Sequence, residues 1–264
     1  LYYVAQKKTS SNCEGAKTAI TVTVISTPSA PSVSDVSYCE GATASALIAT
    51  ASGTNTLVWY DGNQQLITTG APTPSTANVS STTYYVAQKT TTDCEGPKAS
   101  ITVTVNASPA APSATTAVEY CKDDVASALT ATASGGHALV WYDTDGVTLL
   151  SSAPTPSTVS VGATDYYVAQ KNTSSNCIGP QTTITVTVND LPVAPSATTT
   201  IDYCEGATAS ALTATAAAGH TLVWYDQNQQ LITTGAPTPL TSAAGSTLYY
   251  VAQKKTSSNC EGAK

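Results

Sequence analysis

The chain contains no Phe, no Met and no Arg, and only 10% of its 264 residues are charged. Its basic residues are ten lysines, most of them in loop-like segments, set against 17 acids for a net charge of −7. A nucleic-acid-binding surface needs a clustered basic face, so that class of partner is excluded. Uninterrupted apolar runs last only a few residues, too short for the roughly 20 that span a bilayer as a helix. No CxxC spacing occurs, which removes the common zinc and redox patterns. With 41% apolar residues in a regular pattern, the remaining Ala, Thr, Ser and Val describe folded modules and not a disordered tract.

What is present is a repeat. The hexapeptide YYVAQK stands at Tyr2 to Lys7, Tyr84 to Lys89, Tyr166 to Lys171 and Tyr249 to Lys254. Each complete unit places a Trp-Tyr pair upstream of it (Trp59, Trp141, Trp224), with a Cys downstream. An ITVTV run follows in all but the last copy. Self-similarity at a fixed period is the signature of a modular array. Leu1 to Lys17 is identical to Leu248 to Lys264, so three modules make one super-repeat. A longer parent chain continuing in both directions is the expectation.

Within a unit the pattern is that of short strands. A proline-rich joint opens it (Pro28 to Pro31, Pro109 to Pro112, Pro192 to Pro195), and proline stiffens such spacers. Ala44 to Ala51 alternates with Leu47, Ala49 and Ala51 on one face, as a half-buried strand does. LVWYD and LITTG flank a polar hairpin turn. APTP cannot sit in a central strand, because proline lacks the ladder donor. In ITVTV, Ile101, Val103 and Val105 share one face. About seven short strands per unit with no helical period predict an all-β fold of tandem immunoglobulin-like sandwiches, arranged end to end as a rod or fibre. The expected boundaries are 1–27 (last two strands of a preceding domain), 28–107, 108–191 and 192–264, the last lacking its final strand. Trp59, Trp141 and Trp224 are the expected core anchors.

The order YC-x-G, LxATA, WYD, TYYVAQ, Cys and ITVTV resembles the Ig-like repeats of large Bacteroidota surface proteins. Such repeats occur in type IX-secreted and gliding-motility adhesins. The resemblance covers essentially the whole chain. It implies an extracellular or cell-surface location and a stalk or spacer role.

Seven cysteines alternate between two places, one before the second strand (Cys39, Cys121, Cys204) and one in the loop after the sixth (Cys13, Cys94, Cys177, Cys260). Regular spacing in such a module predicts disulfides. Pairing within domains, Cys39–Cys94 and its equivalents, is one alternative. In Ig topology, however, those positions sit at opposite poles, about 26 Å apart along a strand. A disulfide bridges less than about 7 Å between Cα atoms. Head-to-tail stacking favours Cys39–Cys177 and Cys121–Cys260, with Cys13, Cys94 and Cys204 pairing to further domains.

Candidate chemistry is sparse. His137 and His220 precede LVWY, lack an accompanying acid or nucleophile, and read as loop residues. Asp143-Thr144-Asp145-Gly146 matches the start of a calcium loop but lacks the later ligands. Asn78, Asn106 and Asn172 lie in N-x-S/T sequons that read as plain loop positions in a bacterial protein. Six tyrosines are candidates for surface contact: Tyr60, Tyr84, Tyr142, Tyr166, Tyr225 and Tyr249. Exposed aromatic rings suit sugar or protein ligands, while cross-strand pairs that stiffen the sheet are the plainer reading. No enzymatic activity, cofactor or metal is expected. Neighbouring repeats are the expected partners, together with lateral self-association into filaments and a surface glycan or protein ligand. The expected function is a structural or adhesive segment of a stiff disulfide-stabilised fibre. A spacer array in a secreted polysaccharide-degrading enzyme is the alternative.

Overall fold

A computed structural model describes residues 1–264, all of them in strands, turns and extended segments. No helix is long and apolar enough to cross a membrane. The chain divides into two compact units, Leu1–Ser108 and Pro109–Lys264.

In the first unit a leading hairpin pairs β1 (Tyr2–Val4) with β2 (Thr18–Ile20). A complete domain follows, with β3 (Ser32–Val33), β4 (Val36–Cys39), β5 (Ala49–Thr50) and β6 (Thr56–Tyr60). It ends with β7 (Leu66–Ile67), β8 (Ser80–Lys89) and β9 (Ala99–Asn106). One sheet runs in the order β4-β9-β8-β6-β7, and a small second sheet pairs β3 with β5. β4 lies parallel to β9, and every other pair in the domain is antiparallel. This is an Ig-like sandwich of seven strands.

The second unit repeats that domain, with β10 (Ser113–Ala114), β11 (Ala117–Cys121), β12 (Ala131–Thr132) and β13 (His137–Tyr142). β14 (Leu149–Leu150), β15 (Gly162–Asn172) and β16 (Thr182–Asn189) complete it, in the order β11-β16-β15-β13-β14. The third domain has β17 (Ser196–Ala197), β18 (Ala214–Thr215), β19 (His220–Tyr225), β20 (Leu231–Ile232) and β21 (Tyr250–Lys255). Its main sheet holds three strands, β20-β19-β21, with no strand in the place of β9 or β16.

Side chains alternate across each strand, and the ladder register puts the apolar ones on one face. Trp59 stands opposite Val86 in the β6/β8 pair, and Trp141 opposite Val168 in β13/β15. The first core joins Leu47, Trp59, Val86, Ile101 and Val103, and the second joins Leu129, Trp141, Val168, Ile184 and Val186. Trp224 is equally buried, at 6% exposure. In β9 the inward Ile101, Val103 and Val105 are buried, while the intervening threonines are half-buried.

The strand expected over residues 44–51 is a ladder only at Ala49–Thr50, because β3 offers just two residues to pair with. Alternation nevertheless persists: Leu47 is buried and Ile48 is 80% exposed. On its other side the Leu47 amide donates to the Pro72 carbonyl at 2.9 Å, with the same bond at Leu129–Pro154 and Leu212–Pro237. APTP thus flanks the small sheet through its carbonyls, the one ladder group a proline retains. Tyr38, Tyr120 and Tyr203 close the same region, each hydroxyl accepting from an amide seven residues on. The Trp141→Ala variant is expected to lose roughly 3–5 kcal/mol of stability, to be read from denaturant unfolding of the whole chain.

Candidate functional site

The chemistry of this chain concentrates at the end of each long strand, where YYVAQK meets the proline joint. Gln88 of β8 is 1% exposed. A buried primary amide must find partners for both its ends. Its Nε2 donates to the Ser29 carbonyl at 2.9 Å, and its Oε1 accepts from the Ser52 amide at 2.6 Å. Gln170 does the same with Ala110 and Ser134, both at 2.8 Å. Gln253 does so with Val193 at 2.7 Å and Ala217 at 2.8 Å. One side chain therefore ties the proline joint to the loop ahead of the Trp strand in every domain.

The backbone of the same glutamine holds a glycine. Gly96, Gly179 and Gly262 each donate an amide to the carbonyl of Gln88, Gln170 or Gln253, at 2.9–3.0 Å. A Cβ on any of them would overlap the carbonyl oxygen of Pro28, Pro109 or Pro192 respectively. Glycine is required there by close approach. The loop after the long strand is pressed onto the proline joint, which fixes the start of each domain.

Two residues before that glycine stands a cysteine. Cys260 is fully buried and bonded to Cys121, with the two Cα atoms 5.5 Å apart. Cys121 ends β11 in register with Asn189, the last residue of β16, so it lies at the exit of the second domain. Cys260 lies at the start of the third, beside Gly262 and Pro192. The bridge therefore spans the joint between consecutive domains, and pairing of Cys121 with Cys177 or of Cys204 with Cys260 is excluded. Cys39 and Cys177 are likewise disulfide-bonded. Cys39 ends β4 in register with Asn106, and Cys177, 1% exposed, precedes Gly179. Cys13, Cys94 and Cys204 are free thiols.

The six nominated tyrosines separate into two groups. Trp59 pairs with Val86, so period-two alternation turns Tyr84 to the same inner face, where it packs on the core. Tyr166 is placed likewise, its hydroxyl pKa raised by burial and then by the Asp143 charge. Tyr249 lies in phase with Val251 and lines a groove in the third domain. These three are corrected to inward residues. Tyr60, Tyr142 and Tyr225 lie on the opposite face from tryptophan, in register with Tyr85, Tyr167 and Tyr250.

Two of the outward rings are already engaged. The Tyr60 hydroxyl donates to Glu95 Oε1 at 2.6 Å, and Lys98 Nζ stands 3.5 Å over its ring. Tyr225 has the same arrangement, with its hydroxyl on Glu261 and Lys264 3.5 Å over the ring. Such cation–π contacts contribute on the order of 0.5–1 kcal/mol when exposed. In the middle domain Ile178 and Gln181 occupy the Glu and Lys positions, and Gln181 donates instead to the Gly146 carbonyl at 2.9 Å.

The remaining candidates resolve into turn chemistry. His137 and His220 begin strands, each donating Nδ1–H to a carbonyl two residues back. Asp145 caps its own hairpin. The Thr148 hydroxyl and the amides of Thr148 and Val147 hold its carboxyl below the usual range. No group of three metal-ligating side chains comes together. The buried glutamine and the glycine were legible only as invariant letters of the repeat.

The family described as "Ig-like domain CHU_C associated" matches residues 28–107, 109–189 and 192–264. The chain belongs to that family, in three tandem copies. No curated protein matches the sequence. Among solved structures, the fibronectin(III)-like modules of Clostridium thermocellum CbhA are 14% identical, over 60% of this chain and 91% of theirs, at a TM-score of 0.35. Titin I67–I69 is 12% identical, over 84% of each chain, at 0.30. The Bacteroides ovatus mixed-linkage glucan protein SGBP-B is 14% identical, over 85% of this chain and 60% of its own, at 0.21. At these scores none informs the function of this CHU_C-associated chain.

Two outcomes test the site. Gln170→Leu leaves the Ala110 carbonyl and the Ser134 amide without partners and is expected to cost at least about 2 kcal/mol, read from the thermal midpoint of the whole chain. Tyr60 and Tyr225 have hydroxyl pKa values pushed up to about 12 by burial, by the hydrogen bond to Glu95 or Glu261, and by that carboxylate's charge. Their folded pKa lies above the unfolded value, so the linked stability is intact below about pH 10 and is lost as pH rises towards 12. Tyrosinate absorbance should show Tyr60 and Tyr225 among the late-titrating residues, each titrating earlier in Glu95→Gln or Glu261→Gln respectively while burial still holds it above the ordinary value.

Proposed function

We propose that this chain is a structural, adhesive-array segment of a long extracellular protein, forming part of a stiff, tension-bearing fibre or stalk at a cell surface. The observation that carries the reading is the Cys121–Cys260 bridge, which joins the exit of one domain to the start of the next. Tension across that joint then has a covalent path beside the backbone.

Disulfides persist in oxidising compartments, which supports secretion. The resemblance to Bacteroidota surface repeats supports a type IX-secreted adhesin as the parent. Neighbouring repeats are the principal partners. The outer tyrosine face, open in the middle domain and clamped by Lys and Glu in the first and third, is the surface offered to a glycan or protein ligand.

Single-molecule pulling tests the reading. With the bridged positions 139 residues apart in sequence, oxidised chains are expected to hide roughly 470 Å of contour length, at about 3.4 Å per residue. Reduction, or Cys121→Ser, should release it. Equal contour lengths in the oxidised and reduced states would sink the tensile role.

A further inference from the structure

The outer face of the middle domain has lost the charges that hold Tyr60 and Tyr225. One row crosses four strands there: Leu149, Tyr142, Tyr167 and Thr183 stand in register. The bridge that sets Glu95 beside Lys89 and Glu261 beside Lys254 sets Ile178 beside Lys171. Ile178 is 43% exposed, and Leu149, on the edge strand, is 64% exposed. An apolar and aromatic strip therefore meets solvent where the first domain is clamped by charge.

Two opposite charges flank that strip on one strand. Asp165 and Lys171 of β15 are in phase with Tyr167, so both point outward. They stand about 20 Å apart, at roughly 3.3 Å per residue. Asp165 accepts from the neighbouring Thr185 hydroxyl at 2.7 Å. Neither charge has an ion-pair partner, because the ion pairs of the chain are Lys17–Glu14 and Lys89–Asp93. The other domains lack this arrangement. Thr83 and Leu248 stand in the place of Asp165, and Lys89, the counterpart of Lys171, is held by Asp93 at 3.1 Å.

We propose that the outer face of the middle domain docks side by side on the same face of a second copy of this chain, their long strands antiparallel. A strand with an acid at one end, a base at the other and a ring between them is complementary to itself reversed. A two-fold axis at Val168 sets Asp165 against Lys171 of the second copy and Lys171 against its Asp165, as an isologous contact requires. Sheets stacked face to face lie about 10 Å apart, a gap that a lysine and an aspartate span together. Tyr142, Tyr167, Leu149 and Ile178 fill the space between them. A glycan would give the rings a partner but leave both charges unpaired, whereas a second copy neutralises both. Four strands over seven residues present roughly 400 Å², about half of what each partner contributes to a standard interface, so the pair forms at high chain concentration. The inference rests on the outer tyrosine face being a contact surface and is independent of the tensile reading.

The test is sedimentation of the whole oxidised chain at low ionic strength, where surface charges are least screened, with its free thiols Cys13, Cys94 and Cys204 alkylated. Across about a hundredfold rise in concentration the mass should climb from 26.8 kDa towards twice that value. Asp165→Lys and Lys171→Glu, each alone, set like charges against each other and should weaken the pairing at least about tenfold, with thermal midpoints confirming that both variants fold. An equimolar mixture of the two variants should restore pairing, because every lysine at the contact then meets an acid, and so should the double variant. A chain that stays monomeric throughout overturns the proposal, as does association indifferent to both reversals or a mixture that fails to recover. A monomeric chain whose tyrosine emission changes on titration with dextran also overturns it and gives the face to a glycan. The contour length released on reduction is blind to both variants, so failure of the pairing is distinguishable from failure of the tensile reading.

Discussion

The architecture of each domain depends on one buried amide. The glutamine of YYVAQK is the most fully enclosed polar side chain in the sandwich, and both its ends are satisfied by backbone. Removing it would strand a carbonyl of the proline joint and an amide of the loop before the Trp strand, and an orphaned buried group costs more than a surface bond contributes. The same residue's backbone receives the glycine that presses on the joint. Because these contacts share one residue, the joint, the Trp loop and the cysteine loop cannot move independently. The placement of Cys260 against the neighbouring domain follows from that rigidity.

Comparison of the three domains separates what the joint demands from what the outer face tolerates. Gln, Gly and the loop Cys recur without change. The Glu and Lys that clamp Tyr60 and Tyr225 become Ile178 and Gln181 in the middle domain. The turn after the second-strand cysteine shows a milder version of this freedom. Gly41 and Gly206 occupy positive φ there, and Asp123 takes the same conformation at φ 66, which Asp tolerates better than most side chains. The joint machinery is thus constant while the outer face varies, as expected if the joint carries the structural role and the face carries any recognition.

The sandwich was legible because period, alternation and turn residues all point the same way. Tandem Ig-like domains, the polar hairpin turns and the proline-edged small sheet follow from residue types alone. The site was less legible, for specific reasons. A glutamine beside a lysine reads as a surface pair, since nothing local reveals that the strand end is roofed by a distant joint. The orientation of each Tyr-Tyr pair depends on which residue lies opposite the tryptophan, a register that a one-residue slip would invert. The short ladder at Ala49–Thr50 depends on the length of its partner, which propensity does not carry. Strand polarity, by contrast, is a property of the topology. It was enough to place the two classes of cysteine at opposite poles.

Stability alone does not explain why the bridge crosses the joint. In the chain-entropy view, closing the loop between Cys121 and Cys260, 139 residues apart in sequence, stabilises the fold by about 5 kcal/mol, against about 4 for the shorter loop to Cys177. Entropy grows only with the logarithm of loop length, so the two differ by less than the strain either bond could hold. What distinguishes them is mechanical. A bridge inside one domain would leave the joint dependent on a single strand of backbone and a glutamine. A bridge from exit to start gives the joint a second covalent path at its weakest point, where no ladder crosses. The buried amide and the close-packed glycine hold the loop cysteine at the place where that path can close.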